Sequence, residues 1–150
     1  MLNNLLLTLL LTTSAPSVDG VTKSAKDAVQ IDCIARAIYF EARGSSLEGQ
    51  ATVGQVVRER VHNDKFPNTY CSVVYQPNQF SWTKNKKLKI TNEKAWNKAK
   101  KLAEITYYQG WPEDLTHGAL YFHSGKDPYW AKSFDKTKKI DGHKFYKPKT

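Results

Sequence analysis

A chain of 150 residues, 40% hydrophobic and 12% aromatic, can bury its own core as one domain and is too apolar for a disordered polymer. Its 23 lysines and arginines against 14 acids leave a net charge of +9, which directs it toward an anionic partner: nucleic acid, acidic lipid or an acidic cell-wall polymer. The two cysteines, Cys33 and Cys71, make a poor zinc site by themselves.

Residues 1–20 differ from the remainder. Leu5 to Leu11 is apolar apart from Thr8, small residues follow, and no charge appears before Asp19. The run is too short for a membrane span, which needs ~20 apolar residues. It reads as an export signal, although a basic leading region is missing. An irregular tail or an uncleaved anchor are the alternatives. Residues 21–29 are polar and small and read as a linker.

The first helix is expected from about Ala28 to Phe40, where Ile31, Ile34, Ala35 and Ile38 recur at helical spacing. Gly44 is placed to stop it. Glu41 therefore sits in or just past its last turn. "SSLE" follows, with Ser45 read as an N-cap and Glu48 as its reciprocal partner in a capping box. The second helix is expected over Leu47 to Asn63. Leu47, Ala51, Gly54, Val57 and Val61 line its buried side, with Arg58, Glu59 and Arg60 mostly off it.

Pro67 and Asn68 break the chain, a short apolar piece spans Val73 to Tyr75, and Pro77 breaks it again. Residues 84–101 carry eight lysines and one glutamate and read as a solvated helix face attractive to anionic polymer. A third helix is expected over Thr91 to Gln109. "GALYFHS" (118–124) reads as a strand, and Asp141-Gly142 between apolar flanks signals a hairpin.

Glu41 follows Ile38, Tyr39 and Phe40 directly. A carboxyl desolvated by such neighbours keeps its proton toward neutral pH and can donate it to a leaving oxygen. The alternative is a solvated glutamate paired with Arg43 or Arg36. Aromatic residues interleaved with amides and hydroxyls suit a saccharide groove, where rings stack and hydroxyls hydrogen-bond. Gln50, Gln79, Ser81, Trp82, Tyr121 and His123 are the candidate substrate-positioning residues on this reading. Trp96, on a helical segment, reads as core. His117, His123 and His143 match no compact zinc spacing, and no phosphate-binding glycine loop is present, so no metal or cofactor is expected.

"ARAIYFEARGSSLEGQATVGQVVRERV", "FPNTYCSVVYQPNQFSW", "ALYFH" and "DGHKFY" occur in that order between Ile31 and Tyr146. Together they resemble the spore-cortex-lytic (SleB/CwlJ-like) cell wall hydrolase family. The resemblance implies a lysozyme-like α+β fold, mainly helical with a small β-hairpin or sheet element. It places a cell wall hydrolase catalytic domain at 30–150. It implies cleavage of peptidoglycan glycan strands, with Glu41 in the position of the catalytic acid that lytic transglycosylases of the family use. Many members carry glutamate and proline after the glycine of "EARG"; Ser45 and Ser46 stand here, so no second glutamate role carries over. Cys33 and Cys71 resemble a pair found in many Gram-negative relatives. A disulfide between them is expected if the chain is exported to the periplasm, cell wall or exterior.

The expected reaction is scission between N-acetylmuramic acid and N-acetylglucosamine with 1,6-anhydromuramic ends. Lysozyme-type hydrolysis would need a partner carboxylate. Glu48 is set aside as a capping residue, and Asp64 and Asp127 are the remaining possibilities. A basic module that binds wall without cutting is a further alternative. Nucleic acid is not expected as partner, since charge is present without a reading motif, and no stable membrane span is expected.

Overall fold

The computed structural model describes residues 23–111 and 114–150. The segment read as an export signal lies outside the described residues. Helix α1 spans Ala25–Ala42, so it begins within the stretch expected as linker. Its start is fixed by Ser24, whose hydroxyl accepts from the Asp27 amide while the Asp27 carboxylate accepts from the Ser24 amide. Ile31, Ile34, Ala35 and Ile38 are all buried, as their spacing predicts.

Helix α1 packs against each of the other helices: α2 (Leu47–Val61), α3 (Tyr70–Val74) and α4 (Glu93–Tyr108). Helix α3 occupies the apolar piece that sequence left unassigned. The disulfide Cys33–Cys71 ties α1 to α3 across 38 residues of chain, and Gln30 Oε1 accepts from the Cys71 amide beside it. Helices α2 and α4 cross closely. A Cβ at Gly54 would lie 2.7 Å from Thr106 Oγ1, so glycine is required there.

Helix α2 corrects two expectations. Its N-cap is Ser46, one residue later than predicted, with its hydroxyl accepting from the Gly49 amide. Glu48 does not close a capping box; it pairs with Lys138 of the sheet at 2.8 Å. Helix α2 is also buried on more than one side. Gly49 through Val57 are all buried, with Val53 and Val57 in the helical core and Val56 in a second core under the sheet. Beyond its first turn, where Leu47 is 56% exposed rather than on the buried side as expected, a helix held between two layers keeps little solvent surface, and Arg60 is buried rather than turned outward. The corner between α1 and α2 does not use a left-handed glycine. Arg43 caps α1 in right-handed helical geometry. Only the second half of the lysine-rich segment is helical, since α4 starts at Glu93.

The sheet is antiparallel with order β1-β3-β2, from Tyr121–Ser124, Phe134–Ile140 and His143–Pro148. Strands β2 and β3 form the predicted hairpin, with positive φ at both Asp141 and Gly142, the pair such a two-residue turn demands. Its tip reaches back to the α1–α2 corner. Asp141 Oδ2 accepts from the Ser46 amide at 3.0 Å and from the Ser46 hydroxyl. A Cβ at Gly49 would collide with that carboxylate. The hairpin thus fixes the corner that follows Glu41. Among the described residues no helix is long and apolar enough to cross a membrane.

Candidate active site

A cleft opens where the helices meet the sheet, in two adjoining compartments. The inner one, about 340 Å³, is lined by Glu41, Arg60, Asn78, Gln79, Ser81, Lys84, Phe122, His123 and His143, among others. The outer one, about 520 Å³, shares Arg60, Asn78, Gln79, Phe122 and His123 and adds Tyr121, Lys126, Trp130 and Phe134. Phe122 packs against both cores and so forms the floor between the two layers.

Glu41 enters from the last turn of α1. Burial raises its pKa, as the apolar run before it predicts; the charge of Arg60 and the Trp82 indole N–H oppose the rise. The indole lies outside hydrogen-bond geometry, since Trp82 Nε1 is buried without a partner. The net effect is a carboxyl that holds its proton above the ordinary glutamate range.

Arg60 is 4% exposed. Its Nε donates to the Leu120 carbonyl at 2.7 Å, and its guanidinium lies over the rings of Phe66, Phe80 and Tyr121. Desolvation pushes its pKa down to about 10, so it remains a cation at neutral pH. Arg60 Nη1, Trp82 Nε1 and His143 Nδ1 are all buried without a hydrogen-bond partner. Each such group costs roughly 1–3 kcal/mol; Arg60 and Trp82 both act on the Glu41 carboxyl, and His143 lines the compartment that Glu41 and Arg60 share. Stability alone does not favour that arrangement. Asn78, on the rim of both compartments, holds a left-handed backbone with φ 63°.

The sequence-derived candidates separate as follows. Gln79, Ser81 and His123 line the inner compartment, and Gln79, Tyr121 and His123 the outer one. His123 is held by Tyr146, whose hydroxyl lies 3.0 Å from Nε2 and whose ring stacks on the imidazole. Trp82 packs on Phe40 and Phe80 and lines a neighbouring aromatic pocket of about 290 Å³. Gln50 is elsewhere: its buried side chain donates to the Ser45 carbonyl and braces the corner from within. Trp96 packs against the core, as expected. Arg60, Lys84, Asn78 and His143 were not among the candidates. The signal for Arg60 was present in "GQATVGQVV", nine residues without a charge that leave α2 no charged face there, with Arg60 one turn beyond Val56 and Val57.

Among the described residues lining the two compartments, Glu41 is the only carboxylate. Glu48 is held by Lys138, and Asp127 lies just outside, bound by Lys144 at 2.5 Å. Among the described residues no cluster of histidine, cysteine and acidic side chains could hold a metal ion.

A mainly helical domain, a small antiparallel sheet and a cleft between them with a half-buried glutamate at a helix end make a lysozyme-like α+β fold. The chain belongs to the Cell Wall Hydrolase family, whose profile matches residues 44–146. That match begins three residues after Glu41. The spore cortex-lytic enzyme of Bacillus cereus is 32% identical over 119 residues, 78% of this chain and 44% of that protein. The enzyme of the same name from Bacillus subtilis is 29% identical over 61% of this chain and 28% of its own length. The chain thus spans less than half the length of these relatives. Among solved structures, the catalytic domain of the germination-specific lytic transglycosylase SleB from Bacillus anthracis superposes with a TM-score of 0.67 at 33% identity. The match covers 79% of this chain and 93% of that one. The SleB catalytic domain from Bacillus cereus gives 0.62 at 30% identity.

Proposed function

We propose that this protein cleaves the glycan strand of peptidoglycan between N-acetylmuramic acid and N-acetylglucosamine, as a lytic transglycosylase. Protonated Glu41 gives its proton to the glycosidic oxygen. The bond from that oxygen to C1 of muramic acid breaks through an oxocarbenium-like state. The Glu41 carboxylate then removes the proton of the muramic acid's own 6-hydroxyl, whose oxygen bonds to C1 and closes the 1,6-anhydro ring. Glu41 ends protonated, and no water is consumed.

The observation that carries this reading is that Glu41 is the single carboxylate among the described residues lining the cleft. Hydrolysis by the usual glycosidase routes asks for a second carboxyl about 5–9.5 Å from the first. The other ionisable groups lining the inner compartment are Arg60, Lys84, His123 and His143, and none of them can serve as that carboxyl. A nucleophile supplied by the substrate removes the need.

The basic helix face formed by Lys94, Lys98 and Lys101 draws the enzyme toward anionic wall polymer. The Cys33–Cys71 bridge favours work in an oxidising, exported location. The test is mass spectrometry of purified sacculi digested by the wild-type protein and by Glu41→Gln. Anhydromuropeptides from the wild type and none from the variant are expected. Hydrated reducing ends would replace this mechanism with a muramidase. Protein retained on the wall without soluble product would replace it with a binding module.

A further inference from the structure

The cleft does not end at the outer compartment. Beyond the turn at Tyr129–Ser133 lies a third concavity of about 570 Å³, joined to the outer compartment through Lys126, Pro128 and Phe134, which line both. Its remaining wall carries Lys132 and Lys136. Lys126, Lys132 and Lys136 form none of the salt bridges of the described residues. Among the described residues of the wall the one acid, Asp127, is already bound to Lys144. Tyr129, at the mouth, is 90% exposed.

We propose that this concavity is the subsite for the acidic peptide stem carried by muramic acid, a reading that rests on the glycan-cleaving role above. The stem leaves the glycan sideways from the lactyl group, so a site for it must branch from the glycan cleft rather than extend it. This concavity adjoins the glycan cleft through Lys126, Pro128 and Phe134, where a side group of the bound strand can enter it. The stem carries free carboxylates, and three unpaired ammonium groups in one hollow complement them. It also carries small apolar side chains, for which an exposed tyrosine ring offers a flat partner. Lysines spread on a convex surface would attract any polyanion. Lysines gathered in a hollow that opens onto the cleft favour an anion attached to the substrate.

The experiment compares two substrates: glycan strands bearing stems, and the same strands stripped of stems by an amidase. The wild-type protein is expected to cleave stem-bearing strands with the lower KM. The double variant Lys132→Gln/Lys136→Gln is expected to raise KM on stem-bearing strands about fivefold at unchanged kcat. On stripped strands it should match the wild type. Lys132→Arg/Lys136→Arg should restore the preference, and equal thermal unfolding of all forms excludes a folding defect. Equal use of both substrates by the wild type, or an equal loss on both by the glutamine variant, would overturn the proposal while leaving glycan cleavage intact. Failure of the wild type on both substrates would instead remove the glycan-cleaving role itself.

Discussion

Glu41 and Arg60 share one compartment and feel each other's charge without closing into a salt bridge. This separation suits a carboxyl that must carry its proton first and lose it halfway through the reaction. A tight ion pair would strip the proton too early, and no cation at all would leave the transient carboxylate unsupported in a buried place. Replacing Arg60 by Gln removes the effect that lowers the Glu41 pKa, so that pKa rises further. In the proposed mechanism activity requires protonated Glu41 and falls as pH climbs through its pKa. The basic limb of the kcat profile of Arg60→Gln should therefore move to higher pH. The maximum should drop on the order of tenfold or more as the carboxylate loses its counter-charge. Lys84, His123 and His143 line the same compartment, and burial lowers the His143 pKa, with the charge of Asp141 opposing. A pH–rate profile with an unmoved basic limb would mean that Arg60 acts only on packing.

Trp82 acts on the same carboxyl more weakly than Arg60 does. Its indole N–H holds the Glu41 pKa down while its ring packs on Phe40 at 4.9 Å. Trp82→Phe keeps an aromatic ring and deletes the N–H. It should shift the basic limb upward by less than Arg60→Gln does, with a small loss of stability. Titration of Glu41 by carbon-13 NMR in the two variants checks the order of the shifts directly.

Much of this site could be read from the chain, for identifiable reasons. Period and turn chemistry are local, so the α1 stripe, the Asp141-Gly142 hairpin and the desolvated position of Glu41 were all legible. The buried face of α2 was not. Helical spacing assigns one apolar side, and α2 has two, because the sheet covers what a surface helix would show to water. That misassignment hid Arg60. The Ser46 cap was missed for a related reason. The Ser45–Glu48 spacing is a local capping signal, whereas Ser46 is held by Asp141, ninety-five residues away in the chain.

That long-range contact yields a third prediction. Asp141 Oδ2 accepts two hydrogen bonds from Ser46 at the N-terminus of α2, where a negative charge is also favoured. Asp141→Ala should cost ~1–3 kcal/mol, seen as a fall in Tm of about 2–12 °C. Activity should fall more than the stability loss explains, since the corner that follows Glu41 is released. Asp141→Asn preserves the turn and one acceptor and should lie between. Gly49→Ala should behave like Asp141→Ala, because its Cβ displaces the same carboxylate. Calorimetry alongside steady-state kinetics separates the two effects.

The disulfide gives the last prediction. Cys33–Cys71 closes a sequence separation of 38 residues and joins α1, which carries Glu41, to α3. In the chain-entropy account a loop of this size stabilises by ~4 kcal/mol. At 2–4 °C per kcal/mol, reduction or Cys33→Ser/Cys71→Ser should lower Tm by about 8–16 °C. Gln30 Oε1 still accepts from the Cys71 amide, and the Ile31–Ile38 stripe still packs, so the variant should fold and cleave at low temperature. The loss should appear with dithiothreitol in the wild type and be absent from the double variant. A wild-type Tm indifferent to reductant would mean that the bridge contributes nothing to stability, and would remove the reason for linking this fold to an oxidising compartment.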